Sequence, residues 1–96
     1  MEEIYVLLHE WDHDEGCVAC VIAASREKNP LRKELMKSFN AFRRIMENEY
    51  PEGNNLWDAD YTEIPDETSD CAGLGYEIPG EPPYVWRWSI EKIRMV

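Results

Sequence analysis

The segment from residue 30 to residue 49 constrains the fold most, because its apolar side chains recur with the spacing of an α-helix. The stripe consists of Leu31, Leu35, Phe39, Phe42, Met46 and Tyr50, and Met36 widens it. Asn29 is a candidate N-cap, Pro30 fits the first helical position, and Pro51 ends the helix. A helix with a single apolar face needs a second layer to cover that face.

Two short apolar runs precede the helix and are joined by a polar turn. The run "IYVLLHEW" at 4–11 alternates like a strand, although four of its apolar residues also fall at helical spacing. The stretch "DHDEG" at 12–16 has turn chemistry, since Asp tolerates turn conformations and Gly supplies positive φ. A second β-type run, "CVACVIAA", follows at 17–24. We predict a β-hairpin, with a helix over 4–13 as the alternative.

The second half is predicted to contain two strands separated by a long loop. Residues 56–64 alternate apolar and polar side chains, as a half-exposed strand does. Residues 65–83 hold four prolines and three glycines and are predicted to be a loop. The last strand spans 84–96, and its inward face is Tyr84, Trp86, Trp88 and Ile90. A bulge near residues 91–92 would turn Ile93 to the same face.

This order of elements predicts an α+β fold with two layers: a mostly antiparallel sheet, containing a β-hairpin and further strands, with one amphipathic helix packed on one face. Its 96 residues fit a single domain spanning 1–96. The start of the chain has no basic segment typical of a signal peptide, and the apolar run 18–24 is too short to cross a bilayer. We therefore expect a soluble, cytoplasmic protein that does not bind membranes.

The net charge of −10 is distributed in blocks. Residues 26–44 hold seven bases and two acids, whereas residues 1–25 hold six acids and residues 45–81 hold eleven, with no base in either. Because an acidic chain repels phosphate backbones, direct binding to nucleic acid is not expected. A basic surface on another protein, including a surface built to hold nucleic acid, is the more suitable partner.

The letters "HEWDH" at 9–13 match the H-E-x-x-H signature of zinc-dependent proteases. In those enzymes the motif is helical, which turns both histidines toward zinc with the glutamate beside them as general base. On a strand, His9 and His13 would lie ~13 Å apart, too far to share one ion. We favour a pair of polar histidines at a hairpin tip and assign no metal or cofactor. A zinc-dependent hydrolase using His9, Glu10 and His13 is the alternative.

Three cysteines make an odd count, and without a secretory signal a disulfide framework is not expected. Cys17 and Cys20 form a C-x-x-C motif, but residues three apart on a strand face opposite sides. We expect these cysteines to be buried in apolar surroundings. A redox pair is one alternative, and a zinc site that joins Cys71 and a histidine to them is another.

A run of acids in the second half is the candidate interaction site. Its members are Asp58, Asp60, Glu63, Asp66, Glu67 and Asp70. No nucleophile or base accompanies them, so we assign no catalytic residue. They are expected to form either a solvated edge and loop or an acidic docking surface that mimics the phosphates of a nucleic-acid backbone. The basic face of the helix competes with them as an interaction surface, and any tryptophan left exposed would serve as an interface anchor.

Three stretches, "YVLLHEWDHDEG", "ASREK" and "WSIEKI", give the chain a resemblance to a group of small uncharacterised phage and bacterial proteins. Those proteins have a hairpin, a helix and a closing strand, and no activity is assigned to them. The resemblance covers about half of the chain. It implies the same order of elements, carries no functional residue across, and does not extend to residues 50–83.

Taken together, these patterns favour a small protein-interaction module over an enzyme. The sharper hypothesis is a phage-type anti-defence protein, similar to an anti-CRISPR inhibitor, that occupies the basic nucleic-acid channel of a nuclease. The zinc-dependent hydrolase is the second hypothesis. The third is a structural or regulatory domain that forms a homodimer through an edge strand of its sheet.

Overall fold

The structure is a computed structural model that describes residues 2–13 and 16–95. In that part of the chain, one helix and five strands follow each other in the order β1, β2, α1, β3, β4, β5. Their bounds are Glu2–His13 (β1), Gly16–Ser25 (β2), Lys28–Glu49 (α1), Asn54–Asn55 (β3), Cys71–Glu77 (β4) and Tyr84–Met95 (β5). The strands form an antiparallel sheet in the order β2-β1-β5-β4-β3. The predicted α+β fold is confirmed.

Helix α1 covers one face of this sheet. The buried core joins four residues of the predicted stripe to the sheet: Leu31, Leu35, Phe39 and Met46 from α1, with Leu7, Leu74, Tyr76, Trp86 and Trp88 from the strands. Phe42 and Tyr50 are partly buried against the same core. Each large apolar side chain removed from water stabilises the fold by roughly 1.5–3 kcal/mol. The helical periodicity therefore identified the residues that hold the two layers together.

The helix begins two residues before its predicted start, and the predicted Asn29 cap is wrong. The N-cap position is Glu27, whose side chain makes no capping hydrogen bond. Pro30 is the third helical residue, and its missing N–H is harmless because the first N–H groups of a helix have no intrahelical acceptor. The N–H of Glu27 donates to Ser25 Oγ at 3.1 Å, which orients the chain as it enters the helix.

Strand β1 lies between β2 and β5 and pairs with both along most of its length. The predicted hairpin of β1 and β2 is confirmed, and the alternative helix over 4–13 is not formed. The register between β1 and β5 runs without interruption, so the predicted bulge near residues 91–92 is wrong. The irregularity lies instead in the hairpin, where the register with β2 shifts between Leu7 and Leu8.

This continuous register places apolar side chains on the face of the sheet that the helix does not cover. Ile93 lies opposite Ile4, and it remains 41% exposed. Leu8 lies opposite Val21, which is 58% exposed. The sequence interpretation failed here because it assumed that every apolar residue of the last strand must face the helix.

The segment 56–64 does not form the predicted strand, and β4 occupies part of the predicted loop 65–83. The N–H of Leu56 donates to the carbonyl of Gly75, and the N–H of Glu63 donates to the carbonyl of Gly73. Residues between these two points leave the edge of β4 in a series of turns. The edge strand is therefore split into two pieces that pair with the same neighbour.

Tyr61, in the middle of that excursion, explains why β4 contains glycines. A Cβ atom at Gly75 would lie 2.6 Å from the hydroxyl of Tyr61, and a Cβ atom at Gly73 would overlap the carbonyl oxygen of Tyr61. Glycine is depleted in strands, so "CAGLGYE" resembles a loop when it is read without this contact. The close approach of Tyr61 requires both glycines and leaves β4 covered on both faces.

We predict that Gly75→Ala destabilises the protein by about 1–3 kcal/mol through overpacking against the Tyr61 ring. Because the obstacle is a side chain, Tyr61→Ala in the same molecule should remove most of that added cost. Urea unfolding of the two single variants and the double variant measures the coupling. Gly73→Ala is the matched control, since its obstacle is the backbone of Tyr61 and truncation of the ring cannot relieve it. Strict additivity at Gly75 and Tyr61 would contradict the proposed contact.

Candidate functional site

An apolar groove of about 350 Å³ lies beside the C-terminal half of α1. Trp11 of β1, Tyr84 and Trp86 of β5, and Phe42, Ile45 and Glu49 of α1 line it. Trp11 lies directly opposite Trp86 in the register of β1 and β5, and Tyr84 precedes Trp86 by two residues on the same face. The sheet thus arranges three large aromatic rings along one wall, and the helix supplies the other wall.

The three rings of the sheet wall stack on one another. The ring centroids of Trp11 and Tyr84 are 6.4 Å apart with an interplanar angle of 10°. Those of Tyr84 and Trp86 are 6.0 Å apart with an angle of 13°. Trp86 is 4% exposed and forms the floor, whereas Trp11 is 40% exposed. The groove therefore presents an aromatic surface to solvent, held in place by a buried ring.

The groove lies at the negative end of the helix. The last turn of α1 carries no basic side chain, and the exposed Glu49 adds its charge to the partial negative charge of the helix C-terminus. Glu49 makes no ion pair with any residue that the structure describes. Burial of Tyr84, and then the charge of Glu81, raise the pKa of the Tyr84 phenol. The negative charge of Glu49 and of the helix C-terminus would therefore stabilise a cation in this groove.

Sequence reasoning did not identify this groove. Tyr84 was predicted to share the inward face of the last strand with the buried Trp86, and Trp11 was assigned to no face. The available signal was the expectation that an exposed tryptophan would anchor an interface. Two tryptophans meet that condition, Trp11 and Trp57, which is 44% exposed.

The six acids of the predicted interaction site differ in their contacts, and Asp70 is paired with cations of the helix. Its carboxylate accepts hydrogen bonds from Arg32 Nε at 2.7 Å and from Lys28 Nζ at 3.0 Å. Both bonds lower the pKa of the Asp70 carboxyl, and the bond from Arg32 has the larger effect. They connect the chain before β4 to the N-terminal part of α1. Lys28 and Arg32 are therefore paired within the protein.

The other predicted acids differ in their exposure and in their hydrogen bonds. Asp66 is exposed but accepts hydrogen bonds from the N–H and hydroxyl of Thr68, which lower the pKa of its carboxyl and shape the turn around it. Glu67 lies beside Arg32 at a shallow groove near the start of α1. Asp58 and Asp60 are exposed in the turns after Trp57. The carboxylates of Asp58, Asp60 and Glu67 are exposed. Within the described residues, they take part in no hydrogen bond or ion pair.

Glu63 accepts a hydrogen bond from the thiol of Cys71 at 2.8 Å. This hydrogen bond, together with burial and the charges of Glu63 and Asp70, raises the pKa of Cys71 to about 11. The raised pKa favours the protonated thiol, which is a weaker nucleophile than the thiolate. Cys71 is exposed, and so is Cys20, for which the prediction of burial is wrong.

The alternative zinc site of cysteines and a histidine is also separated by the sheet. Cys20 lies on β2 and Cys71 on β4, with β1 and β5 between them, which places them roughly 14 Å apart. The side chains of Cys17 and His13 lie outside the described residues. Among the side chains that are described, no group of three metal-binding residues comes together.

The "HEWDH" motif lies on strand β1, so it does not have the helical arrangement of a zinc protease. His9 is buried, with its ring stacked on Trp88 at 4.8 Å and tilted against Phe42 at 4.7 Å. Its Nε2 atom has no hydrogen-bond partner among the described residues, and burial lowers the pKa of His9. The sequence interpretation placed both histidines at a hairpin tip, but His9 is a neutral member of the aromatic core.

No family model, curated protein or solved structure matches this chain. Among the residues that the structure describes, no helix combines the length and the apolar composition needed to cross a membrane. The candidate site therefore rests on its own geometry: an aromatic wall, an exposed carboxylate and the negative end of a helix.

His9 predicts a loss of stability in mildly acidic solution. The unfolded chain binds a proton near pH 6.5, while the folded chain holds His9 neutral to lower pH. The stabilisation is thus complete above pH 6.5 and decreases as the pH falls toward the lowered pKa of the folded state. Urea unfolding of wild type and His9→Phe between pH 7 and pH 5 should show a flatter profile for the variant. His13→Phe is the control, and identical slopes for wild type and His9→Phe would refute the assignment.

The pair of Glu63 and Cys71 predicts a slowly reacting thiol. In a Cys17→Ser, Cys20→Ser background, iodoacetamide should alkylate Cys71 at least about ten-fold faster at pH 8 after Glu63→Gln, because a neutral acceptor no longer opposes the thiolate. Mass spectrometry follows the rate. Glu67→Gln removes a charge nearby without touching the thiol and should leave the rate unchanged. Equal rates in all three proteins would show that Glu63 does not control Cys71.

Proposed function

We propose that this protein is a small acidic binding module whose aromatic groove holds an arginine or lysine side chain from a basic surface of a partner protein. The observation that carries the proposal is the position of the groove. Exposed aromatic faces lie beside Glu49 at the C-terminal end of α1, where the helix dipole is negative. All three features favour a cation, and they converge on one place.

The chemistry of the groove suits a guanidinium group best. A planar guanidinium stacks on an aromatic face and can donate two hydrogen bonds to one carboxylate. A cation over an aromatic ring contributes about 0.5–2 kcal/mol, depending on how far it is desolvated. Glu49 supplies the carboxylate, and Trp11 supplies an accessible ring. A single anchored side chain of this kind gives register and specificity to a larger contact.

Long-range charge supports the same partner. The net charge of −10 attracts a basic surface and speeds its association, an effect that salt weakens. The exposed Asp58, Asp60 and Glu67 remain in the proposed interaction surface, while Asp70 leaves it because its carboxylate is already paired. The finer proposal is that the partner's basic surface normally holds nucleic acid. The module would then act in the cytoplasm as an inhibitor of the anti-defence type, competing with that nucleic acid.

The test uses a fluorescently labelled peptide of arginine-glycine repeats as the probe and fluorescence anisotropy as the measurement. Wild type should bind the peptide, and binding should weaken as NaCl rises from about 50 to about 300 mM. Trp11→Ala and Glu49→Gln should each weaken binding by roughly five-fold, which corresponds to about 1 kcal/mol.

Two variants elsewhere on the surface serve as matched controls. Trp57→Ala removes an equally exposed tryptophan outside the groove, and Glu34→Gln removes an exposed carboxylate near the other half of α1. Both should retain wild-type affinity apart from a small general charge effect. The proposal would be rejected if the peptide does not bind at low salt, or if Trp57→Ala weakens binding as much as Trp11→Ala does.

A further inference from the structure

The sheet has one edge that is closed and one that is open. On the closed side, β3, Leu56 and Glu63 occupy the outer edge of β4 through backbone hydrogen bonds. On the other side β2 ends the sheet, and within residues 2–13 and 16–95 it pairs with β1 alone. The outward N–H and C=O groups of an edge strand are a template for a further strand.

Strand β2 carries none of the features that usually protect an edge. Its ten residues, Gly16–Ser25, include no charged side chain and no proline. In natural sheets, edge lysines, prolines and short strands prevent unwanted pairing. A bulge opposite Leu7 and Leu8 interrupts the register with β2 near Val21, which leaves the part of the strand before it regular. A neutral strand of this length is suited to pairing.

The charge of the molecule indicates what can pair with it. Residues 16–25 are the longest stretch of this sequence without an acidic or basic residue. Two copies with a net charge of −10 each repel one another overall, and a strand without charge is a place where their close approach meets little repulsion. An antiparallel edge strand is also self-complementary, because a twofold axis between two copies pairs it with itself.

The neighbouring outer face of the sheet adds apolar area at the same place. Val21, 58% exposed, lies next to Leu8 of β1 on the face that α1 does not cover, and Ile22 is 41% exposed. Pairing of two edges would bring these side chains of both copies together. The isolated chain thus presents both unpaired backbone groups and apolar side chains along the uncharged strand β2.

We propose that β2 pairs antiparallel with β2 of a second copy, which joins the two sheets into one continuous sheet. The axis would be perpendicular to the sheet, so both helices would lie on the same side. Both aromatic grooves would then face the same side as well. This dimer is independent of the proposed binding of a basic segment and does not require it.

Salt dependence separates the dimer from groove binding. Because like-charged copies repel, raising NaCl from about 50 to about 500 mM should tighten the dimer, whereas it should weaken binding of the basic peptide. Sedimentation equilibrium of the full chain across both conditions gives the dimer dissociation constant. Trp11→Ala should leave that constant unchanged.

Two substitutions with the same change of charge locate the contact. Val21→Lys places a charge at the open edge and should weaken the dimer at least about ten-fold. Ile64→Lys converts another exposed apolar residue, 69% exposed and away from β2, and should leave the dimer intact. Circular dichroism confirms that both variants fold. A wild-type chain that stays monomeric at every salt concentration, or equal weakening by both variants, would overturn the proposal.

Cross-linking gives a second measurement that does not depend on affinity. In variants that retain only one cysteine, the other native cysteines being replaced by serine, that cysteine is placed at position 19, 20 (the native Cys20) or 21 and oxidised. Residues that face each other across an antiparallel pair are close enough for a disulfide. One of the three positions should yield a covalent dimer rapidly, while a single cysteine at position 64 should not. Equal yields at all four positions would contradict a β2 contact.

Discussion

The contact on which the two layers depend is the burial of Trp88 beneath α1. Its ring packs edge-on against Phe39, with centroids 5.5 Å apart, and stacks on His9 of the neighbouring strand. Its Nε1 donates a hydrogen bond to Ser38 Oγ at 2.9 Å. A buried indole needs a partner for its N–H, so this bond adds direction to contacts that are otherwise non-directional. One side chain of β5 therefore fixes both the depth and the position of the helix.

The charges of α1 are placed against its own dipole at both ends. Lys28 and Arg32 lie near the N-terminus, where cations are unfavourable, and Asp70 compensates for them. Glu49 lies at the C-terminus, where anions are unfavourable, and no described residue forms an ion pair with it. The first conflict is resolved within the fold. The charge of Glu49 is not compensated by a described residue, and it lies at the aromatic groove. For this reason we place the binding site there and not on the longer run of acids.

Periodic elements could be predicted from the sequence, whereas features that depend on contacts between distant segments could not. Helix α1 and the inward face of β5 follow from apolar spacing, and the hairpin follows from apolar spacing together with the turn residues between its strands. Strand β4 was missed because its glycines are required by the close approach of Tyr61, which lies on another segment. A run of acids likewise does not show which carboxylate is paired: the partners of Asp70 are 38 and 42 residues away. The groove was missed because the alternation of side chains along a strand shows which residues face the helix but not where the helix ends.

The central pair of the sheet joins strands that are far apart in the chain, since β1 ends at His13 and β5 begins at Tyr84. At a synthesis rate of about 5–20 residues per second, β1 waits roughly 4–14 s on the ribosome before β5 is made. During that time the hairpin of β1 and β2 has no covering helix anchored by Trp88, and its apolar strands have two open edges. The topology therefore leaves the apolar strands of the nascent hairpin without their central partner until β5 has been made.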